Sequence, residues 1–261
     1  MNKTTIENTI KDIGIHDRPA FIRADCSVLL DQDDNVRHDE CIRDALQTIH
    51  APVAPVAAIF GGDRVADTLA VMATLLPDRV DRILVGGGVA FTFLHAMGCR
   101  TGSSRVDHDQ IRQVRAILAQ AEACHIPLVL PIDVVATGQP GAGSSPDLLA
   151  AEAIPDGWTG CDIGPATVGQ FAGMLAGVRT ILWHGPMGKS GQPVYARGTL
   201  AMARVVADCA AAVSVIGGKE TTAAVRQAGV AAYITHLLTE GSAFMEMLCW
   251  PTGNRAGERQ C

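Results

Sequence analysis

At 261 residues the chain is long enough for one large domain, or one domain and a fragment, with a core that needs no metal or disulfide staple. A net charge of -6 excludes the concentrated basic footprint of nonspecific nucleic-acid binding, and no run approaches the ~20 apolar residues of a membrane-spanning helix. The hydrophobic share is 48% against a charged share of 18%, so some polar surface is expected to be replaced by an interface.

The opening residues lack a continuous apolar stretch and a transit-peptide bias, and the eight cysteines show neither CxxC nor ladder spacing. This pattern predicts reduced thiols in a cytoplasmic protein, most of them small core residues, with no zinc cluster.

Residues 20–30 (AFIRADCSVLL) read as a strand and 39–49 (DECIRDALQTI) as a helix capped by Asp39. The segment 51–56, APVAPV, carries two prolines and reads as a joint between this leader and a main domain. A strand, AAIFGG, follows, then a helix over 64–76, a strand over 81–87 and a helix over 88–97. Further helices are predicted over 107–124, 196–211 and 220–228, and further strands over 127–132, 179–184, 213–217 and 232–235. Short apolar strands alternating with longer helices indicate a parallel sheet covered on both faces, which binds ligands beyond the carboxyl ends of its strands. Residues 137–147, TGQPGAGSSPD, read as a mobile surface loop and 251–261 as a polar tail.

Glycine turns fall at those strand ends: Gly61-Gly62, Gly86-Gly87-Gly88, Gly185-Pro186-Met187-Gly188 and Gly217-Gly218. One such turn ends a strand for ordinary reasons; four in succession point to a phosphate-bearing ligand approached by backbone N–H groups and helix N-termini. Neither GxxxxGK[ST] nor GxGxxG is present.

The strings ILVGGGVAFTFL (83–94), LPIDVVAT (130–137), IPDGWTGCDIGPAT (154–167), ILWHGPMG (181–188) and SVIGG (214–218) resemble, in order and spacing, the C-terminal nucleotide-binding half of phosphoglycerate kinase. The leader is similar to the first strand and helix of that family's N-terminal half, and most of the acid-substrate domain between them is missing. The resemblance implies an α/β three-layer sandwich, Rossmann-like, with a mostly parallel central sheet. It divides the chain into a remnant of the substrate domain at 1–50, a nucleotide-binding domain at 51–249 and a tail at 250–261.

The same resemblance assigns the candidate site and marks where it departs. The family's RVDFN appears as Arg23, Ala24, Asp25, Cys26 and Ser27, so Arg23, Asp25 and Ser27 are the substrate-side remnant, with Ser27 in place of an asparagine. The arginine of the following helix falls on Cys41, and Arg43 points elsewhere. In the family's GGAKVSDK the first lysine becomes Arg64 and the second Thr68; the asparagine of WNGPMG becomes His184; the ribose glutamate falls on Gly191. GGGDT becomes Gly217, Gly218, Lys219, Glu220 and Thr221, and Glu240 sits in the later glycine run. Arg64, Lys219 and Gly218 are therefore the candidate catalytic residues. Gly61, Gly62, Arg64, Gly86, Gly87, Gly164, Pro165, His184, Pro186, Gly217, Gly218, Glu220 and Thr221 are the candidate contacts for ATP or ADP with magnesium, and Glu220 is the candidate metal ligand.

For several residues a plainer role stands beside the functional one. Phe91, Phe93 and Leu94 suit the core; Gly164-Pro165 suits a rigid turn; Thr221 suits a helix cap. His184 can face the cleft in place of an amide but lacks spaced partners for a metal. Three functions compete: a non-catalytic relative that binds nucleotide without a normal 3-phosphoglycerate site; an ATP-dependent phosphotransferase with a carboxyl-group acceptor, completed by a partner or second subunit; and a relic without activity. Residues 20–49 are expected to dock on the main domain, to engage a second copy in a homo-oligomer or a protein partner, or to remain mobile.

Overall fold

The computed structural model describes residues 39–138 and 145–249, with side chains from Asp44 onward. The predicted strand at 20–30, with Arg23, Asp25 and Ser27, lies outside the described residues, as do the side chains of Cys41 and Arg43 and much of the predicted loop at 137–147. Of two compact units, the larger begins at Ala45, ahead of the expected joint. Ala45 and Ile49, on helix α1 (Asp39–His50), are fully buried in the larger unit's core.

Its centre is a six-stranded sheet of β1 (Val56–Phe60), β2 (Arg82–Val85), β4 (Leu128–Val129), β9 (Thr180–His184), β10 (Val213–Gly217) and β11 (His236–Leu238). The order is β11-β10-β9-β1-β2-β4, with every pair parallel. β1 and β9 are buried along their whole length, because helices cover both faces and side chains alternate between them. Val56, Ala58 and Phe60 face one core with α1, α2 (Val65–Leu75), α3 (Gly87–Ala96), α4 (Ile111–Ala123) and α8 (Gly241–Cys249). Ala57 and Ile59 face the other, with α5 (Pro165–Leu175), α6 (Arg197–Asp208) and α7 (Lys219–Gln227).

The chain leaves β1 for a helix on the first face and β9 for a helix on the second. These neighbouring strands are thus the point where the winding reverses, and a crevice opens beyond their carboxyl ends. Gly61-Gly62 and Gly185 to Gly188 occupy that position.

Several features depart from the predicted elements, among them helices α5 and α8, which no predicted helix covers. The last strand is His236–Leu238, whereas residues 231–233 form a 3-10 turn, so the predicted strand at 232–235 sits too early. Between α4 and β9 the chain also builds a three-stranded antiparallel sheet of β5 (Asp133–Thr137), β6 (Asp147–Ala150) and β8 (Thr159–Ile163). A two-stranded pair, β3 (Arg100–Thr101) with β7 (Ala153–Ile154), stands beside it. Phe91, Leu94, Val134, Ala136 and Ile154 form a third, smaller core under this sheet, which bears out core roles for Phe91 and Leu94; Phe93 is fully buried in the first core.

Among the described residues Cys99, Cys161, Cys209 and Cys249 are free thiols. Among the described residues no helix is long and apolar enough to cross a membrane.

Candidate functional site

The strand-end turns lock into one another. Gly61 N–H donates to His184 O at 2.8 Å, Gly62 N–H to Pro186 O at 2.7 Å, Gly86 N–H to Phe60 O at 2.7 Å and Gly87 N–H to Met187 O at 3.1 Å. Gly218 N–H reaches Leu238 O at 2.9 Å, and Gly185 N–H reaches Thr221 Oγ1 at 3.0 Å. Most of the glycine N–H groups expected to meet an anion are therefore spent within the protein. Gly87 shows why glycine is required: its φ is +61°, and a Cβ there would stand 2.5 Å from Gly62 N and 2.7 Å from Pro186 O.

Free donors lie instead in the first turns of α7 and α8. The first intrahelical bond of α7 runs from Thr222 N–H to Gly218 O, and that of α8 from Phe244 N–H to Glu240 O. The preceding N–H groups of Lys219, Glu220 and Thr221, and of Gly241, Ser242 and Ala243, have no acceptor within their helices. Both termini therefore favour an anion.

His184 stands between them. It ends β9, is 7% exposed, stacks on Phe244 with ring centroids 6.0 Å apart, and neither ring nitrogen has a hydrogen-bond partner. A Cβ on Gly241 would be 3.1 Å from His184 Nε2 and 3.6 Å from Arg64 Nη2, and one on Gly218 would be 3.4 Å from the same Nε2. Imidazole, guanidinium and two helix starts thus converge on one corner. Burial, reinforced by Arg64 and opposed by Asp67, pushes His184 down to about 4, so the ring is neutral. Arg64 pairs with Asp67 at 3.4 Å, and both side chains are more than half exposed, so an incoming anion displaces only a weak bridge.

Beside this corner lies a cleft of about 460 Å³. Gly62, Gly87, Phe91, Gly160, Pro186 and Glu220 line it, and so does Asp162. Asp162 is buried; Oδ1 accepts from Ile163 N–H at 2.9 Å and Oδ2 from Gly198 N–H at 2.6 Å. Its carboxyl occupies the space a Cβ on Gly188 or Gly198 would need. Burial raises it to about 7 against the two backbone donors. The rim is crossed twice, by Arg105 Nη1 to Asp63 Oδ2 at 2.6 Å and by Ser190 Oγ to Glu220 Oε2 at 3.0 Å.

The predicted residues divide accordingly. Gly62, Gly87, Pro186 and Glu220 line the cleft; Arg64, His184 and Gly218 meet at the corner; Lys219 is exposed on the first turn of α7. Gly61 and Gly86 are packed against Met187, and Gly217 against Phe244. Thr221 does not cap α7, which has no side-chain cap; its hydroxyl instead ties the Gly185 turn to that helix. Thr68 turns inward and donates to Arg64 O. Gly164 and Pro165 open α5 rather than line the cleft, and the Asp133 carboxylate accepts from Ala166 and Thr167 N–H there. Asp162, Asp63, Arg105 and Ser190 were not foreseen. Only Asp162 left a signal, as a lone acid inside the strand TGCDI.

Comparison with known proteins gives one consistent result. The phosphoglycerate kinase family profile matches residues 49–249. Phosphoglycerate kinase of a Synechococcus species is 42% identical over 202 residues, covering 77% of this chain and 50% of that protein. The Thermus thermophilus enzyme is 40% identical over 207 residues, covering 79% and 53%. Among solved structures, phosphoglycerate kinase from Coxiella burnetii superposes with a TM-score of 0.74 at 30% identity, over 79% of this chain and 54% of that one. The Pyrococcus horikoshii enzyme gives 0.70 at 26%, over 80% and 53%. The chain spans about half the length of these relatives.

Proposed function

Because the chain belongs to the phosphoglycerate kinase family, we propose that residues 51–249 are its nucleotide-binding C-terminal half, and that the protein binds ADP or ATP without a normal 3-phosphoglycerate site. The observation that carries this reading is the cleft at the reversal point between β1 and β9, set directly beside a corner of unpaired N–H groups, Arg64 and His184.

In this reading the nucleoside lies against Gly62, Gly87, Phe91 and Gly160, with Gly61, Gly86 and Gly217 holding the backbone that shapes the cleft. The phosphates reach Arg64, Lys219 and the N–H groups after Gly218. Gly191 in the cleft wall carries no side chain for the ribose. Magnesium fits only as a companion of the phosphates: Glu220 is a single carboxylate with one oxygen held by Ser190, and the described residues contain no cluster of three or more His, Cys, Asp or Glu that could hold an ion. The acid-substrate side would amount to Arg23, Asp25 and Ser27 alone, and the segment ahead of the buried Ala45 would be the place for a partner.

Titration calorimetry of the full chain with ADP and ATP, with and without magnesium, tests this. Micromolar binding that weakens at least about tenfold in Arg64→Ala supports it, since a charge-assisted contact is worth roughly 1.5–3 kcal/mol. Absence of heat at millimolar nucleotide from folded protein overturns it.

A further inference from the structure

His184 is unusual among the polar groups of the site. It is more than nine-tenths buried, both ring nitrogens lack partners, and it faces the space shared by Gly218, Gly241 and the Arg64 guanidinium. A buried ring nitrogen left unpaired is costly unless something occupies the space before it. The groups around it select what that is. Two helix N-termini and an arginine favour negative charge, and would repel a cation.

A neutral imidazole donates to an anion from one ring nitrogen only, and only as a dipole. A protonated one adds a full positive charge to that hydrogen bond. We propose that the corner takes up an oxyanion and a proton together: as a phosphoryl group or similar oxyanion settles between Arg64 and the starts of α7 and α8, His184 accepts one proton from solvent and donates it as a hydrogen bond from Nε2. No covalent bond forms or breaks; the protein gains one proton per anion bound. The inference rests on the nucleotide reading in placing phosphate at this corner, and it adds that phosphate affinity there rises as pH falls.

The charges facing His184 set the direction. In the free corner burial and Arg64 hold the proton off, while Asp67 on α2 draws it on. The other ionisable groups on the surrounding helices and turns are Lys219, Glu220 and, at its far end, Arg226 on α7, Glu240 ahead of α8 and Glu246 and Cys249 within it, and Lys189 in the turn after β9. β1 and β10 contribute none. A bound dianion offsets Arg64 and becomes the strongest charge beside the ring, so the midpoint of His184 rises on binding. By linkage the affinity then increases up to tenfold for each unit of pH lowered between the free and bound midpoints.

Sulfate is the probe, because it keeps its charge over this range and any proton taken up belongs to the protein. The His184 ring signal is followed by NMR from pH 4 to 8 with and without sulfate, beside calorimetry of ADP in buffers of different ionisation enthalpy. The expected result is an upward shift of the His184 midpoint by at least about one unit with sulfate, together with proton uptake on ADP binding. In His184→Asn and His184→Gln, anion affinity becomes independent of pH over that range. A midpoint that sulfate leaves in place, or a pH dependence that survives both variants, overturns the proposal. If ADP binds without proton uptake, the proposal fails and the nucleotide reading stands. If sulfate moves His184 while ADP does not bind, the nucleotide reading fails and the anion corner stands.

Discussion

The two ends of the crevice solve opposite electrostatic problems within one sheet edge. At the corner a base, His184, is buried beside a cation and holds no proton; in the cleft an acid, Asp162, is buried among backbone donors and keeps its proton up to about neutrality. In both, burial is the main cause of the shift, and it favours the uncharged form of each. The contrast lies in what surrounds them. Both Asp162 oxygens are satisfied, by Ile163 and Gly198, whereas neither His184 nitrogen has a partner.

The largest expected effect comes from breaking the joint between these ends. Gly87→Val forces a side chain onto a φ of +61° and against Gly62 and Pro186, and is expected to destabilise the protein by at least about 3 kcal/mol in thermal unfolding.

The second effect sharpens the contrast. Asp162, raised from 3.8 to about 7, contributes stability that is full at acid pH and lost as pH rises through that window. His184, lowered from 6.5 to about 4, leaves stability full above its ordinary value and lost as pH falls toward 4. Each amounts to about 3 kcal/mol between pH 4 and 7, with opposite sign, so the two nearly cancel. His184→Asn should therefore show stability that falls with rising pH, and Asp162→Asn stability that climbs, in urea unfolding from pH 4 to 7. Parallel slopes in the two variants would contradict the assignment.

Smaller effects follow. Thr221→Val leaves the buried Gly185 N–H without its acceptor and should cost about 1–2 kcal/mol in the same assay. Arg105→Ala, which breaks only the exposed bridge to Asp63, should change stability by less than about 1 kcal/mol.

What the sequence disclosed follows from how each region is buried. β1, β9 and β10 are short apolar runs closed by glycine and covered on both faces, so composition alone marks them. The antiparallel sheet was not legible, because Asp133 and Asp147 open β5 and β6, Asp162 interrupts β8, and β6 is largely exposed. The strand predicted at 232–235 followed an apolar run that in fact turns, while pairing with Val215 begins only at His236.

At the site, the glycine turns could be placed from their spacing, but their role could not. Their N–H groups close on one another, and the open donors belong to the helices that follow. His184 could be suspected from its position in ILWHGPMG. Its lack of partners depends on Gly218, Gly241 and Phe244, which are distant in sequence.

The central claim is that one ligand spans both ends. Parallel NMR titrations with ADP, adenosine and pyrophosphate, following the Gly160 amide and the His184 ring, test it most directly. The account predicts that ADP moves both signals with a single dissociation constant, adenosine only Gly160 and pyrophosphate only His184. ADP that at millimolar concentration moves neither, or moves the two with unrelated constants, would contradict it.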